Sequence, residues 1–435
     1  MSKINLANLK KTYYYCKKNG LKQAVLAAVE RMFGEQEEYF YEGLSEQELE
    51  KQRETTFQIQ PTISIVVPLY NTPREYFCQM VESVRNQTYT KFELVLADAS
   101  TAEYLAAINL EEIVSSYGDE RIIYKRLEQN MGISENTNSA IDLATGEYIG
   151  LLDHDDILTL DALFEVVTKI NNVISCGERM LFLYSDEDKC DGDMSSFYDP
   201  NIKPTFDLDY LWSNNYICHF SVFESQLLKK LRLRKEYDGA QDYDLILRTV
   251  RAVEESCLQV HNISKVLYHW RCHVDSTAVN PQSKLYAYEA GKRALEDDLR
   301  SRDIRANVMH SKHLGFYQVH YMENLIKQRS EVGMIAKPGY ERGRIVSGAR
   351  DASGALLYGG LLKGFSGGYL HRAAVFQQCF CADIDARYVR DGLLTQFLVE
   401  ASKSEEYLST IEGMVAFGTY LQKQGYVIVY SPEME

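Results

Sequence analysis

The stretch from residue 147 to residue 166, EYIGLLDHDDILTLDALFEV, joins an apolar run to a cluster of acidic side chains. Its first part is typical of a buried strand, and its last part has the spacing of an amphipathic helix. Between the two parts, His154 is flanked by Asp153, Asp155 and Asp156. Like charges repel one another and are costly to desolvate, so the cluster requires a compensating partner at the end of the strand.

Similar apolar runs precede this stretch and alternate with helix-like segments from residue 61 onward. Their starts lie roughly thirty residues apart, which is the length of a βαβ unit. The pattern predicts an α/β fold with a Rossmann-like, mostly parallel sheet that is covered by helices and joined by right-handed crossovers. The four runs are TISIVVPLYN (62–71), FELVLADAS (92–100), RIIYKRLEQN (121–130) and EYIGLLDHDD (147–156).

Each of the four predicted strands ends in small polar or acidic side chains. Asn71 follows the first strand, Asp98 and Ser100 end the second, Asn130 follows the third, and the acidic cluster follows the fourth. In parallel α/β sheets, ligands bind outside the carboxyl ends of the strands. We therefore expect a ligand site at this edge of the sheet.

The composition restricts the class of protein. The 435 residues carry a net charge of -15, which disfavours a general attraction to nucleic acid. Nine cysteines occur without paired C-x-x-C motifs, as expected for reduced thiols in the cytosol. No secretory signal or membrane-spanning run is expected from the sequence.

The sequence predicts three parts. Residues 1–60 form an N-terminal helical extension, 61–315 the main α/β domain, and 316–435 a smaller α/β or α+β region. The start of the extension is basic and rich in tyrosine, so two interpretations stay open. It lies on an anionic membrane surface, or it packs on its own domain and leaves its lysines in solvent.

The D-x-D pair of Asp153 and Asp155 predicts a site for a divalent metal, Mn or Mg. Closely spaced carboxylates hold such a cation, which bridges the phosphate oxygens of a nucleotide. The alternative is a solvated cluster or a helix cap, a role that Asp161 also fits. A calcium loop at 186–193 is excluded, because Cys190 occupies a ligand position.

Six motifs in order resemble the family 2 glycosyltransferases with a GT-A fold, of the group that assembles bacterial surface polysaccharides of the rhamnan type. The resemblance covers about 61–315. The motifs are ISIVVPLYNTP (63–73), QTYTKFELVLADAS (87–100), NMGISENTNSAIDLATGEYIGLLDHDD (130–156), YSDED (184–188), GAQDYDLILR (239–248) and YHWRCHVDSTA (268–278).

The resemblance implies a nucleoside-diphosphate sugar donor, a divalent metal and inversion at the anomeric carbon. Asp153 and Asp155 would bind the metal, with His269 or His273 completing its shell. For both histidines, a place in a packed strand is the alternative. The residues implied in nucleotide binding are Pro68, Tyr70, Asn71, Asp98, Ser100, Asn130, Asp153 and Arg271.

Asp242 in GAQDYDL matches the catalytic base of the family, although Gln241 stands where glutamate is commoner. A sugar hydroxyl is a poor nucleophile, so its attack requires a base that takes the proton. The alternative is that Asp242 and Asp244 are solvated carboxylates or pair with Arg248.

The resemblance places further residues beside the acceptor: Asp186, Glu187, Asp188, Lys203, Trp212 and His219. For the tryptophan, a core position is the alternative. Residues 316–435 resemble the latter half of a second such domain without its acidic motif. We therefore expect a non-catalytic role for them in stability, dimerisation or acceptor handling.

These observations predict a metal-dependent inverting glycosyltransferase that acts on a glycan or polyprenyl-linked acceptor. By resemblance it would be cytoplasmic, with peripheral association at the inner face of the membrane and a homodimer as further expectations. A glycan-binding or scaffold protein without activity is the main alternative. A dinucleotide-dependent oxidoreductase is disfavoured, because no G-x-G-x-x-G follows the first strand.

Overall fold

The computed structural model describes residues 39–272, 285–364, 369–383 and 387–432, together with Gly20, Leu21 and Val25. The strands of these residues are β1 (Ile63–Leu69), β2 (Phe92–Asp98), β3 (Ile122–Arg126), β4 (Tyr148–Leu151), β5 (Ile157–Leu158), β6 (Phe182–Asp191), β7 (Phe197–Asn201), β8 (Ser221–Glu224), β9 (His261–Cys272), β10 (Ala306–His310), β11 (Tyr317–Tyr321), β12 (Val332–Ala336), β13 (Gly339–Glu341), β14 (Arg344–Ser347), β15 (Ala349–Arg350), β16 (Gln377–Cys379), β17 (Cys381–Ala382), β18 (Arg387–Val389) and β19 (Val427–Tyr430).

The helices of the described residues connect and flank these strands. They are α1 (Glu46–Glu54), α2 (Arg74–Arg85), α3 (Ala102–Ala107), α4 (Leu110–Ser116), α5 (Ile133–Leu143), α6 (Ala162–Ser175), α7 (Leu208–Ser213), α8 (Ser225–Leu231), α9 (Gln241–Glu255), α10 (Leu285–Ser301), α11 (Leu325–Gln328), α12 (Leu393–Ala401) and α13 (Ile411–Lys423).

The described residues divide into two packed units. The larger unit takes them from Glu37–Phe206 and Tyr216–Ala294, and the smaller unit from Asp207–Asn215 and Leu295–Glu435. The division at residues 60 and 315 that the sequence suggests stays a prediction. Most of the basic N-terminal segment lies outside the described residues.

The larger unit is built on one mixed sheet with the strand order β3-β2-β1-β4-β8-β6-β9-β5, and β7 pairs with β6. The four strands that the sequence predicted, β1 to β4, are parallel neighbours. Their register aligns Leu69 with Asp98 and Asp98 with Arg126, so the first three strands end at one edge. The predicted α/β fold class is confirmed.

The rest of this sheet is mostly antiparallel. β8 pairs antiparallel with both β4 and β6, and β5 pairs antiparallel with β9, whereas β6 and β9 are parallel. The long parallel pair of β6 and β9 brings residues 186–191 beside residues 266–272. This pairing links two of the sequence motifs that lie far apart in the chain.

Helices bury their apolar faces on the parallel half of the sheet. All seven residues of β1 and of β2 are buried, as expected for strands covered on both sides. The core includes Phe77 and Val81 of α2 and Val167 of α6, all fully buried. Burial of such side chains stabilises the fold by about 1.5–3 kcal/mol each.

The smaller unit contains a four-stranded sheet with the order β16-β19-β12-β18. β12 and β19 are parallel, and the two outer strands pair antiparallel with them. Helix α13 contributes Phe417 and Leu421 to a core that also contains Ile428. The expectation that this region is a degenerate half of a glycosyltransferase domain stays a prediction.

Across the part of the chain that the structure describes, no helix combines the length and the hydropathy that a membrane span requires.

Candidate functional site

The polar residues at the ends of β1 and β2 form one hydrogen-bonded network. The Asp98 carboxylate is fully buried and accepts hydrogen bonds from the backbone N–H of Ser100 at 2.8 Å and the Tyr124 hydroxyl at 2.5 Å. The Ser100 hydroxyl accepts in turn from the backbone N–H of Asn71 at 2.8 Å. The structure therefore brings together Asn71, Asp98 and Ser100, as the sequence predicted.

The loop after β3 is held in a similar way. The Asn130 side-chain oxygen accepts from the backbone N–H of Gly132 at 3.0 Å and from the Asn136 amide at 2.8 Å. Of the two other residues implied in nucleotide binding near this edge, Pro68 is buried within β1 and Tyr70 is 44% exposed. Their contacts with a nucleotide stay predictions.

The acidic cluster after β4 contains carboxylates in different environments. Asp153 has a side chain that is 54% exposed, whereas Asp156 is buried. Asp156 accepts hydrogen bonds from the Tyr268 hydroxyl at 2.5 Å and from the backbone N–H of Arg271 at 2.7 Å. Burial and the neighbouring Asp155 charge raise the pKa of the Asp156 carboxyl well above its usual range. Asp156 therefore anchors the loop to β9 and does not cap a helix.

Arg271 supports the same loop from behind. Its guanidinium is fully buried and donates to the backbone carbonyl oxygens of Asp155 and Gly192, each at 2.6 Å. It also lies 4.4 Å from the centre of the Tyr76 ring. The structure thus shows a positioning role for Arg271, and its predicted contact with a diphosphate stays a prediction.

His219 lies beside the exposed end of the acidic cluster. Its Nε2 is 3.7 Å from a carboxylate oxygen of Asp153, and its Nδ1 is 3.0 Å from a carboxylate oxygen of Glu187. The ring stacks on Tyr268 with 4.6 Å between ring centres. Burial alone would lower the pKa of His219, but the adjacent Cys218 and Glu187 raise it well above its ordinary value.

Glu187 orients His219 and also bonds to two other side chains. It accepts from the Lys203 ammonium at 3.3 Å and from the Asn201 amide at 3.1 Å. Burial alone would raise the pKa of the Glu187 carboxyl, but Lys203 and His219 lower it to about 2. Lys203 also donates to the carbonyl oxygen of Ile217 at 2.6 Å. Both predicted acceptor residues are thus engaged in a buried ionic network.

Asp242, in the first turn of α9, lies close to Cys218 and His219. One of its carboxylate oxygens is 3.5 Å from the Cys218 sulfur, which in turn is 3.4 Å from Nε2 of His219. Burial raises the pKa of the Cys218 thiol to about 12, so the thiol stays protonated and donates to Asp242. Asp153 and Asp242 therefore meet around His219, although they are far apart in the sequence.

Ion pairing with Arg248, the alternative role of the two aspartates, is observed for Asp244. Asp244 is buried and accepts from Arg248 at 2.7 Å and from Nε of Arg234 at 3.1 Å. These bonds fix the start of α9. The two aspartates of GAQDYDL thus differ in surroundings. Asp244 is buried inside the larger unit, whereas Asp242 contacts Cys218 next to His219.

The described residues include one group suited to a divalent cation, formed by Asp153, Asp156 and His219. One ligand atom from each lies within 4.8 Å of the other two. Asp156 already accepts two hydrogen bonds, which leaves Asp153 as the most available ligand. His219 would bind a cation through Nε2 only after losing the proton that its raised pKa favours. Carboxylate oxygens suit Mn and Mg, so the two aspartates of this group fit the metal that the sequence implied, whereas the imidazole is a ligand more typical of Zn, Cu, Fe or Ni.

His269 occupies a different position from the one implied for a metal ligand. Its Nδ1 is 2.5 Å from a carboxylate oxygen of Asp188, and its ring packs on Tyr41 and Phe197 at 4.4 and 4.5 Å between ring centres. Asp188 also accepts from the Tyr39 hydroxyl at 2.7 Å. His269 is therefore engaged in a buried pair. The other implied ligand, His273, lies outside the described residues.

Two further residues implied at the acceptor, Asp186 and Trp212, form hydrogen bonds within the protein. Asp186 accepts from the backbone N–H of Lys203 at 2.9 Å, and burial raises the pKa of its carboxyl to about 6. Trp212 belongs to the smaller unit, is buried, and donates from Nε1 to Asp298 at 3.0 Å. Trp212 thus occupies a core position, which was the alternative to acceptor binding.

Sequence reasoning missed Tyr268 and Cys218 as parts of the site. No sequence pattern distinguishes Tyr268 from a core tyrosine. Cys218 precedes a predicted site residue, His219, but a single cysteine gives no signal of its own. Among the described residues, none of the eight cysteines forms a disulfide with another.

Part of the chain is similar to proteins of a known family. Residues 64–232 match the family model "Glycosyl transferase family 2". The chain is 40% identical over 240 residues to an uncharacterized protein, y4gI, of Sinorhizobium fredii, covering 55% of this chain and 25% of that protein. It is 31% identical over 252 residues to the O-antigen biosynthesis protein RfbC of Myxococcus xanthus, covering 57% of this chain and 19% of that protein. The chain thus spans a quarter or less of these two relatives.

Among solved structures, the chain is similar to S. aureus TarS 1-349 in complex with UDP. The TM-score is 0.40 at 18% identity, over 55% of this chain and 65% of that one. It is also similar to the mannosyltransferase PcManGT from Pyrobaculum calidifontis in complex with GDP-Man and Mn2+, with a TM-score of 0.37 at 14% identity, over 59% of this chain and 80% of that one.

The matched residues contain β1 to β4, the acidic cluster and His219. Over residues 64–232 the chain is therefore similar to glycosyl transferase family 2.

Proposed function

We propose that the protein is a metal-dependent inverting glycosyltransferase that transfers a sugar from a nucleoside diphosphate to a hydroxyl of a glycan or polyprenyl-linked acceptor. The observation that carries this proposal is the meeting of Asp153 and Asp242 around His219 and Cys218. A role in bacterial surface polysaccharide synthesis is supported by the family match and by the similarity to the O-antigen biosynthesis protein of Myxococcus xanthus.

The donor would bind along the carboxyl ends of β1 to β4. The preformed network of Asn71, Asp98 and Ser100 would meet the base and ribose, since its polar groups already lie at this edge. A divalent cation held by Asp153 and His219 of the observed group, with Asp155 as the second carboxylate that the sequence predicts, would offset the charge of the departing diphosphate. Asp156 and Arg271 keep this loop in place through their bonds to β9 and to the backbone of the loop.

Asp242 would act as the base. An acceptor hydroxyl within about 3 Å of its carboxylate gives up its proton as the hydroxyl oxygen attacks C1 of the sugar. The bond between C1 and the diphosphate oxygen breaks on the opposite face, and the diphosphate leaves with the electron pair. One displacement of this kind inverts the configuration at C1.

We place the reaction at the cytoplasmic face of the membrane, where a polyprenyl-linked acceptor would be met. In this proposal residues 316–435 serve as an accessory, non-catalytic region, and a homodimer is an additional expectation. An experiment must distinguish this enzyme from a glycan-binding or scaffold protein without activity, because a family match alone does not fix function.

The deciding experiment compares the wild-type protein with Asp242→Asn on a panel of UDP-, GDP- and dTDP-sugars, with Mn or Mg. We expect the variant to lose transfer by at least about a hundredfold, because a general base contributes that much, while nucleotide-sugar binding measured by calorimetry is unchanged. Asp199→Asn is the matched control, since this carboxylate is 68% exposed. Nucleotide-sugar binding without transfer by the wild type, across acceptors, would favour the scaffold alternative.

A further inference from the structure

A tertiary contact links the donor-side loop to the helix that carries Asp242. Helix α5 begins after the Asn130 loop, and its N-cap residue, Gly132, supplies no side-chain cap. The missing acceptor comes from Asp238, which lies in the segment before α9. One Asp238 carboxylate oxygen accepts from the Ser134 hydroxyl at 2.5 Å and lies 3.3 Å from the Ser134 backbone N–H. A carboxylate at a helix N-terminus also meets the favourable end of the helix dipole.

The approach of Asp238 to the loop is close enough to require glycine at position 132. A side-chain carbon placed on Gly132 would lie 2.8 Å from the other carboxylate oxygen of Asp238. The φ of Gly132 is also +98°, a conformation that side chains disfavour. The loop that carries Asn130 therefore lies directly against Asp238.

A second pair of hydrogen bonds joins the same two segments. The Asn138 side chain, one turn further along α5, donates to the carbonyl oxygen of Leu233 at 2.9 Å and accepts from the Leu233 N–H at 3.0 Å. Asn138 and Ser134 are both buried. Two successive turns of α5 thus hold residues 233–238.

Residues 231–238 are in turn fixed to α9. The Arg248 guanidinium, on α9, donates to the carbonyl oxygens of Leu231 at 2.7 Å and Arg232 at 2.6 Å. Arg234 pairs with Asp244, two residues after the proposed base. The contacts therefore run from the Asn130 loop through α5 and residues 231–238 to the first turn of α9.

We propose that Asp238 and Ser134 are positioning residues that couple the donor-side loop to the placement of Asp242. This inference rests on the proposed function, in which the loop contacts the donor and Asp242 receives the acceptor proton. The coupling sets the position of the base relative to C1 of the sugar. A displacement of about 1 Å between reacting groups lowers turnover by roughly a hundredfold, so such a link is effective without touching substrate.

The kinetic test uses Asp238→Ala, Ser134→Ala and the double variant, with Glu236→Gln as the matched control on an exposed side chain of the same segment. We expect each single variant to lower kcat by about tenfold at unchanged donor KM, and the double variant to lose no more than Asp238→Ala, which by itself removes both contacts with Ser134. Asp238→Asn keeps an acceptor oxygen and restores most of kcat. Additive losses, or a rise in donor KM that accounts for the effect, would overturn the proposal.

A second measurement does not depend on activity. Amide hydrogen exchange is followed at Asn136, whose N–H bonds to Gly132 at 3.0 Å, and at Asp244, whose N–H bonds to Ala240 at 3.0 Å. We expect Asp238→Ala and Ser134→Ala to accelerate exchange at both amides by about tenfold, because local opening now involves both helix ends. Faster exchange at Asn136 alone would refute the coupling. If the wild type transferred no sugar, the proposed function would fail while this measurement still decided the coupling.

Discussion

The hydroxyl of Tyr268 donates a hydrogen bond to the buried carboxylate of Asp156 over 2.5 Å, which attaches the acidic loop after β4 to strand β9. Tyr268 is also the ring on which His219 stacks. One side chain thus contacts both the loop and the histidine at the centre of the candidate site. These two contacts fix the position of the loop that carries Asp153 relative to His219.

The first prediction concerns Tyr268→Phe. Removing the hydroxyl takes one hydrogen bond from the buried Asp156, so we expect the free energy of unfolding to fall by about 1–3 kcal/mol. Urea denaturation measures the change. Tyr198→Phe is the control, because Tyr198 is 37% exposed. An unchanged urea midpoint in Tyr268→Phe would show that the bond contributes nothing to stability.

The second prediction concerns Asp155→Ala and the metal. A nucleotide that binds the native state with Mn raises the melting temperature, and a tenfold loss of affinity removes about 1.4 kcal/mol of that stabilisation at saturating ligand. We expect Asp155→Ala to show a smaller Tm increase with UDP or GDP plus Mn, and an unchanged Tm without ligand. The exposed Asp199→Ala is the control. An equal Tm increase in the two variants would remove Asp155 from the metal site.

The third prediction follows from the lowered pKa of Glu187, about 2 in the folded chain. A carboxyl with a depressed folded pKa contributes stability above its unfolded value near 4.5, and this contribution is lost as the pH falls toward 2. At about 1.4 kcal/mol per pKa unit, the contribution is roughly 3 kcal/mol. We expect stability measured from pH 5 to pH 2 to fall less steeply in Glu187→Gln than in the wild type.

The control for this pH series is Asp199→Asn, which removes an exposed carboxylate. Its stability curve should run parallel to that of the wild type over the whole range. Parallel curves for wild type and Glu187→Gln would mean that Lys203 and His219 do not lower the pKa of Glu187 in solution.

The fourth prediction concerns the smaller unit, where Arg329 forms a buried ion pair with Asp209 and lies 4.8 Å from the Trp212 ring. Arg329→Met leaves the Asp209 charge buried, which costs about 3–5 kcal/mol. Thermal unfolding should show a clearly lower melting temperature. Arg305→Met, at a side chain that is 77% exposed, should leave it nearly unchanged. Equal effects of the two substitutions would contradict a structural role for the buried pair.

The parallel part of the fold was predictable because each strand and its polar end lie within a short stretch of sequence. Runs such as 62–71 and 92–100 carry both the β-branched core residues and the side chain at the carboxyl end, and the parallel arrangement aligns those ends. Asn71, Asp98 and Ser100 could therefore be grouped from local pattern alone.

The partners of the acidic cluster were less accessible to sequence reasoning. The pairing of β6 with β9 places Glu187 and Asp188 beside residues 268–269, and Asp188 bonds to Nδ1 of His269, whose predicted role as a metal ligand stays a prediction. Side-chain direction along a strand changes with every residue, and a shift of one position reverses it. Which histidine faces the cluster was thus a question of register, and the structure shows His219 there.

By itself the sequence determined the α/β class, the sheet edge at which the polar side chains gather and the residue types found there, because these follow from local periodicity and the alignment of parallel strand ends. Only the tertiary structure decided that Asp156 is anchored by Tyr268, that Asp242 meets Asp153 through Cys218 and His219, and that Asp238 caps a helix from another segment. Such contacts join positions that are distant in the chain, and their distances depend on strand register and packing rather than on any local pattern.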